Sequence, residues 1–327
     1  MGDAHVIQAG TTIGNRYKVT RMVGGGGMKL VYQAEDLHLA NRPCALAEMS
    51  DDFANQAARQ HAVTAFQREA DLLAKLDNPH IPRIYDRFSE GTRHFLVMEF
   101  VEGRTLERRM SEAGGKLPEA EALEITLQLA STLEYLHTQT LPVLHRDLKP
   151  SNVIITPSGL VKLIDFGIAR YFRVHGNATV VGTPGYAAPE QYRGVPEIAS
   201  DVYSLSALLH HMVSGRDPNQ QPPFHFPALH SIAEGCNPLL ASLVARGLEF
   251  EVTKRIKSVT EFKAILLAIK AAGLTSIATP ARISSGVDSR SAAQSRLTGS
   301  LGSSAEPIAW DLWAAASCAK AYRRSYE

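Results

Sequence analysis

Cysteine is scarce: Cys44, Cys236 and Cys318 are the only three in 327 residues, far apart and never in a CxxC pair. An odd number at such spacing excludes a disulfide or zinc framework and fits small apolar side chains in a reducing compartment. Long apolar runs are also lacking, and no stretch reaches the roughly 18 uncharged residues that a spanning helix needs. Net charge is nearly absent, with 34 Lys+Arg against 33 Asp+Glu. That balance gives no reason to expect a nucleic-acid or membrane-surface partner. The N-terminus has no basic start followed by an apolar core, so it does not read as a secretory signal. Met1-Gly2 is a weak acylation cue, because Val6 stands where Ser or Thr is wanted. Internal repeats are not visible. A cytoplasmic chain is the expectation.

What is present is enough for one large or two small cores, with 45% of residues in the hydrophobic set. Residues 17–49 read as strands around the cluster Gly24-Gly25-Gly26-Gly27. Residues 55–76 read as a helix stopped by Asp77-Asn78-Pro79. Strand character returns at 83–88 and 94–100, and beyond Glu102-Gly103 the pattern is mostly helical. Pro118 opens one helix, with Ile125, Leu129, Leu133 and Leu136 on a single stripe. Residues 200–213 form another, closed by Gly215, and Ser258-Val259-Thr260-Glu261 is a capping box before a helix to about 271. A small β-rich lobe precedes a larger helical one. Residues 272–307, rich in Ser, Ala, Gly and Thr, read as a flexible linker. The tail at 308–327 has Trp310 and Trp313 at helical spacing, and partner binding, docking back and fraying all stay open for it.

The chemical signal lies in His145-Arg146-Asp147-Leu148-Lys149-Pro150-Ser151-Asn152, then Asp165-Phe166-Gly167, then Ala188-Pro189-Glu190. In this order and spacing they resemble the catalytic loop, metal-binding turn and activation-segment end of protein kinases. The resemblance runs over residues 17–271. With Gly182-Thr183-Pro184-Gly185-Tyr186 it is nearest to bacterial eukaryotic-like (Hanks-type) Ser/Thr kinases. It implies an α+β, bilobal fold: a small antiparallel sheet lobe with one helix (about 17–98) and a larger, mainly helical lobe (about 102–271), after an extension at 1–16. It also implies ATP with Mg²⁺, or Mn²⁺ as an alternative, and protein Ser/Thr acceptors, this chain's own included. Asp147 then accepts the proton of the acceptor hydroxyl, Lys149 sits by the transferred phosphoryl group, and Asn152 and Asp165 supply hard oxygen ligands to the metal.

The resemblance further implies that Glu99, Phe100 and Val101 form a hinge offering backbone groups to adenine, with Met98 limiting the pocket behind. Arg146 is the cation for a phosphate on the activation segment, with Thr179 the best-placed acceptor there, while Thr183 shapes the substrate site. His145 and Asp201 brace the loop, and Glu190 pairs with Arg255. His210-His211 has no evident third metal ligand and reads as a helix-surface pair.

Two positions depart from the family pattern. Gly24 and Gly26 match the glycine loop, but the third glycine is Lys29; and in Cys44-Ala45-Leu46-Ala47 the phosphate-binding lysine is replaced by Ala47. Side chains two apart on a strand share a face. Val31 and Ala45 should cover adenine, so Lys29 and Ala47 should both face the nucleotide. Strands about 4.8 Å apart and a long lysine stem allow Lys29 to reach the place left by Ala47. Glu69 then either pairs with it or is retargeted, and a solvated loop lysine in a decaying glycine loop is the bland alternative for Lys29. The with-no-lysine (WNK) kinases show the same exchange, and the resemblance to them stops at that site: Asp165-Phe166-Gly167 lacks their altered metal turn, so chloride sensing is not carried over. A pseudokinase with a nucleotide-binding or scaffolding role is the alternative. An Ala47 introduced artificially would leave Lys29 unexplained, and a small-molecule kinase fits Ala188-Pro189-Glu190 poorly.

Overall fold

A computed structural model describes residues 6–26, 29–49, 55–165 and 183–277. Its first lobe is a six-stranded antiparallel sheet, ordered β1-β2-β3-β4-β6-β5. The strands are β1 (Thr12–Ile13), β2 (Tyr17–Gly26), β3 (Lys29–Asp36), β4 (Arg42–Met49), β5 (Ile84–Glu90) and β6 (Arg93–Glu99), with helix α1 (Gln56–Leu73) between β4 and β5. Alternation along β4 explains the layering. Cys44 and Leu46 point into a core with Tyr32, Phe95 and Val97, while Ala47 and Met49 point the other way, against Val63, Phe66 and Ala70 of α1. Ile7 and Ile13 belong to the first of these cores, and Thr12 and Ile13 pair with Lys18 and Tyr17. The segment before Tyr17, set apart by sequence as an extension, therefore supplies a strand and core side chains.

The second lobe is built on α3 (Glu119–His137) and α5 (Ile198–Ser214), surrounded by α2 (Leu106–Glu112), α4 (Pro189–Tyr192), α6 (Leu229–Ile232), α7 (Pro238–Gly247) and α8 (Val259–Ile277). A small sheet, β7 (Arg104–Thr105), β8 (Val153–Ile155) and β9 (Val161–Leu163), lies along its edge. Helix α5 is buried almost all round and ends at Gly215, whose φ of 74° is the left-handed turn that a helix stop favours. Helix α8 begins with Glu261 N–H donating to Ser258 Oγ at 3.1 Å. It continues to Ile277, past the end read at 271, since a single interior Gly273 costs only about 1 kcal/mol and does not by itself end a helix. The rest of the linker and the 308–327 tail lie outside the described residues.

The burial of α5 corrects the reading of His210 and His211 as a surface pair. His210 is buried against Phe226, ring centroids 5.2 Å apart, with Nε2 2.9 Å from the Pro227 carbonyl. His211 is half-buried and shares a 2.6 Å hydrogen bond with the Tyr186 hydroxyl. A helix surrounded by protein shows no polar face by which sequence could place them.

Burial lowers the pKa of His145, His210 and His211 below the ordinary histidine value. The unfolded chain protonates these imidazoles near their ordinary pKa of about 6.5, before the folded protein does. Stability from keeping them neutral is thus complete above that pH and lost as pH falls. Each adds a slope of up to about 1.4 kcal/mol per pH unit while only the unfolded state is protonated. Urea melts at pH 7.5 and 5.5 should show the fold weakening in acid, and a flat profile would contradict the burial assignment.

Candidate active site

The loop after α3 is held from below by one carboxylate. Asp201, fully buried on α5, accepts the backbone N–H of His145 (2.9 Å) and of Arg146 (2.9 Å), and lies 2.8 Å from His137 Nε2. Burial pushes the Asp201 pKa up, but His137 and the amide donors outweigh it and keep the pKa below the ordinary aspartate value. Clamping two successive N–H groups holds Arg146 at φ 66°, a conformation uncommon for a residue with a side chain. The Arg146 carbonyl accepts from Gln191 Nε2 at 2.8 Å, tying the loop to α4. The bracing role expected of Asp201 is visible in these bonds, which hold His145 by its backbone N–H. The contribution of His137 was not read from sequence.

Asp147 follows, its side chain 1% exposed. Its Oδ1 accepts from the Thr183 hydroxyl at 2.6 Å, and its Oδ2 accepts from Asn152 Nδ2 at 3.0 Å and pairs with Lys149 Nζ at 3.1 Å. Asn152 Nδ2 also reaches the Asp147 carbonyl at 2.8 Å. These donors fix the carboxylate in one orientation. The Ile164 N–H donates to the Asn152 carbonyl at 2.8 Å, so Asn152 and Asp165 are held on adjoining backbone. Asp165 has φ 60°, which turns the chain as it leaves β9. Phe166, Gly167 and Thr179 lie outside the described residues.

Strand register places the unusual lysine. Val31 pairs with Ala47 and Lys29 with Met49, while Ala45 pairs with Met98 on the next strand. Lys29 and Val31 thus share a face with Ala45 and Ala47, as alternation requires. Gly26 pairs directly with Lys29, and Gly24 with Val31; a Cβ built on Gly24 would meet nothing within 4 Å. Lys29 Nζ lies 3.6 Å from Glu69 Oε1 and forms an ion pair with Asp165 Oδ1. Burial pulls its pKa down, but the charges of Asp165 and Glu69 outweigh this and hold it above the ordinary lysine value. Ala47 is 1% exposed in an apolar cluster with Met49, Phe66 and Leu96, against which Val31 and Met98 pack.

At the end of β6 the backbone N–H of Glu99 donates to the Arg83 carbonyl at 2.8 Å, and Phe100 and Val101 continue the chain toward the helical lobe. The Glu99 carboxylate is held by Lys162 Nζ at 2.7 and 2.8 Å. Sequence reasoning missed Lys162, because Val161-Lys162-Leu163 alternates like any strand with one wet face. Glu190 and Arg255 form the expected buried pair, with Arg255 Nη1 2.6 Å from Glu190 Oε1.

Residues 17–256 match the protein-family description "Protein kinase domain". The chain belongs to the protein kinase family. It is 39% identical over 214 residues to the serine/threonine-protein kinase PrkC of Bacillus subtilis, covering 64% of this chain and 32% of that one. It is 36% identical over 217 residues to the probable serine/threonine-protein kinase PknB of Lactococcus lactis, at 65% and 34% coverage. PknA of Nostoc, also named a serine/threonine-protein kinase, is 33% identical over 262 residues, at 76% and 46%. The chain therefore spans about a third to a half of the length of these curated relatives. Among solved structures, an apo form of PpkA-294 aligns with TM-score 0.69 and 25% identity, over 80% of this chain and 99% of that one. The PknI kinase domain of Mycobacterium tuberculosis aligns with TM-score 0.65 and 27% identity, over 81% and 100%. The curated relatives named above are bacterial kinases named for serine/threonine, and the fold of this chain is the two-lobed arrangement expected. Among the described residues no helix is long and apolar enough to cross a membrane.

Proposed function

We propose that this kinase domain transfers the γ-phosphoryl group of ATP to Ser/Thr hydroxyls of proteins, with Lys29 as the phosphate-binding cation that other kinases carry at the position of Ala47. The observation that carries the reading is the Lys29 ammonium between Glu69 and Asp165, reached from β3 rather than β4.

The donor set fits Mg²⁺: a carboxylate on Asp165 and an amide oxygen on Asn152, hard oxygens on backbone joined by a hydrogen bond. When bound, the metal neutralises charge on the phosphates. The other roles belong to this chain's own residues. Backbone groups of Glu99 and Val101 hold adenine, beneath Val31 and Ala45, while Gly24 and Gly26 leave room for backbone to approach the phosphates. Asp147 orients the acceptor hydroxyl and takes its proton as the new O–P bond forms and the bond to the leaving ADP oxygen breaks. Lys149, beside Asp147, holds the transferred group. Phosphoryl transfer asks mainly for positioning and charge neutralisation, and these residues supply both.

The absence of a lysine from β4 favours a second reading, a nucleotide-binding pseudokinase. Against it stands the oriented set of Asp147, Lys149 and Asn152, which a scaffold does not need.

The test is transfer of labelled phosphate from Mg-ATP to the chain itself and to a generic basic protein, followed by phosphoamino-acid analysis. Label on Ser or Thr that disappears in Asp147→Asn is expected. Transfer that persists in that variant, or a parent with no transfer at all, would sink the proposed activity.

A further inference from the structure

Lys162 stands on β9 between Val161 and Leu163, which are 1% and 0% exposed and point into the helical lobe's core. The intervening position faces the other way, and the usual occupant of such a face is a solvated side chain. Lys162 is instead only 8% exposed, with its ammonium 2.7 and 2.8 Å from the two carboxylate oxygens of Glu99 at the end of β6. Glu99 is tied at the same point to the residue just before strand β5, its Oε2 accepting from the Arg83 N–H at 3.3 Å.

A second anchor follows four residues later. Gly103 has φ 154°, and a Cβ there would fall 2.4 Å from the Ile155 carbonyl oxygen, so the chain presses directly on β8. Arg104 then pairs with Ile155. The short span from 100 to 102 is therefore fixed at both ends to the same β8–β9 ribbon. That ribbon also carries the two oxygen donors: β8 starts immediately after Asn152, and β9 ends two residues before Asp165. The Leu163 N–H donates to the His80 carbonyl at 2.8 Å, which seats the ribbon against the turn after α1.

We propose that Lys162 is a positioning residue: it sets the adenine-binding hinge in register with the metal-binding end of the site. The inference rests on the nucleotide reading above, and it adds a constraint which that reading does not contain. A nucleotide is held at two ends, so its affinity depends on the distance between them, whereas adenosine feels only the hinge. Detaching Glu99 from Lys162 frees the upstream end of the hinge and spoils the register while leaving the adenine contacts in place.

The experiment is calorimetric titration of the full chain with adenosine and with ATP in the presence of Mg²⁺. Lys162→Met should leave adenosine affinity within about threefold of the parent but weaken Mg-ATP about tenfold, a modest loss for a displacement of the order of 1 Å. Exchanging the charges, Glu99→Lys with Lys162→Glu, should restore the parent's ratio, which a simple loss of packing would not explain. Thermal melts check folding, and Lys162→Gln, which keeps a donor, substitutes if Lys162→Met melts below the assay temperature. An unchanged ratio in a folded variant, or equal weakening of both ligands, would overturn the proposal, as would a parent that binds neither. Because the readout is binding, a parent that binds nucleotide but transfers no phosphate defeats the proposed activity without touching this ratio.

Discussion

Lys29→Ala should lower phosphate transfer by about 100- to 1,000-fold at saturating Mg-ATP, the usual cost of removing one preorganised donor to a developing charge. The argument is geometric before it is electrostatic. The ammonium is held between Glu69 on α1 and Asp165 beyond β9, with its side chain 23% exposed. It is therefore at the junction of three elements that must be aligned for transfer, and its raised pKa keeps it charged throughout the working pH range. Among the described residues Ala47 brings no charge to the matching place on β4, only a methyl group in an apolar cluster.

A double variant separates the charge from the strand that carries it. Lys29→Gly restores a third glycine, and Ala47→Lys places an ammonium two residues along the same face, since Val31 is the partner of Ala47. The lysine stem is apolar enough to lie along Phe66 and Met49 while its head reaches Glu69. Recovery of transfer in the double variant, compared with Lys29→Gly alone, should exceed tenfold, about 1.4 kcal/mol of transition-state stabilisation. Steady-state rates in a folded Lys29→Ala protein within a few-fold of the parent would instead make Lys29 a loop lysine. In that case the site would be working with no dedicated phosphate cation on either strand.

The legible and illegible parts of this molecule divide by range. The catalytic loop and the Ala188-Pro189-Glu190 turn were readable because their chemistry is local, with several functional groups in one short segment. The facing of Lys29 and Ala47 was readable because strand alternation needs no knowledge of the partner. Contacts across long sequence distance were readable only where a family pattern named both ends, as for Glu190 and Arg255. The Glu99–Lys162 pair joins residues 63 positions apart, and neither residue is distinctive alone. Strands of two or three residues, such as β1 and β7, contain too few side chains to show a period. Helix α5 hid its histidines for the opposite reason: a helix buried on every side has no amphipathic stripe to orient it.

Arg255→Met should destabilise the fold by about 3–5 kcal/mol, the cost of breaking a buried ion pair from one side. The guanidinium is fully used. Nη1 donates to Glu190 Oε1 at 2.6 Å and to the Ala199 carbonyl at 2.9 Å, Nε donates to the Glu249 carbonyl at 2.9 Å, and Nη2 donates to Glu190 Oε2 at 3.2 Å and to the Phe250 carbonyl at 3.3 Å. Its plane lies over the Tyr203 ring, 5.0 Å from the centroid. Glu190, its side chain 3% exposed, also accepts from Ser200 Oγ at 2.6 Å. Burial alone would raise the Glu190 pKa, yet Arg255 and Ser200 hold it below the ordinary glutamate value. Methionine fills the volume but leaves that carboxylate without its cation in a dry site. Arg255→Lys should fare little better, because a point charge on a flexible stem does not reproduce a planar fork bonded in four directions. Adding Glu190→Met to Arg255→Met removes the stranded charge and should recover at least half of the lost stability in urea melts. A single variant that unfolds within 1 kcal/mol of the parent would show that water reaches the pair. The loss should extend to the site, because α4 also carries Gln191, whose amide holds the Arg146 carbonyl next to Asp147. The ion pair therefore acts on catalysis through the anchoring of that loop and not through its own charge.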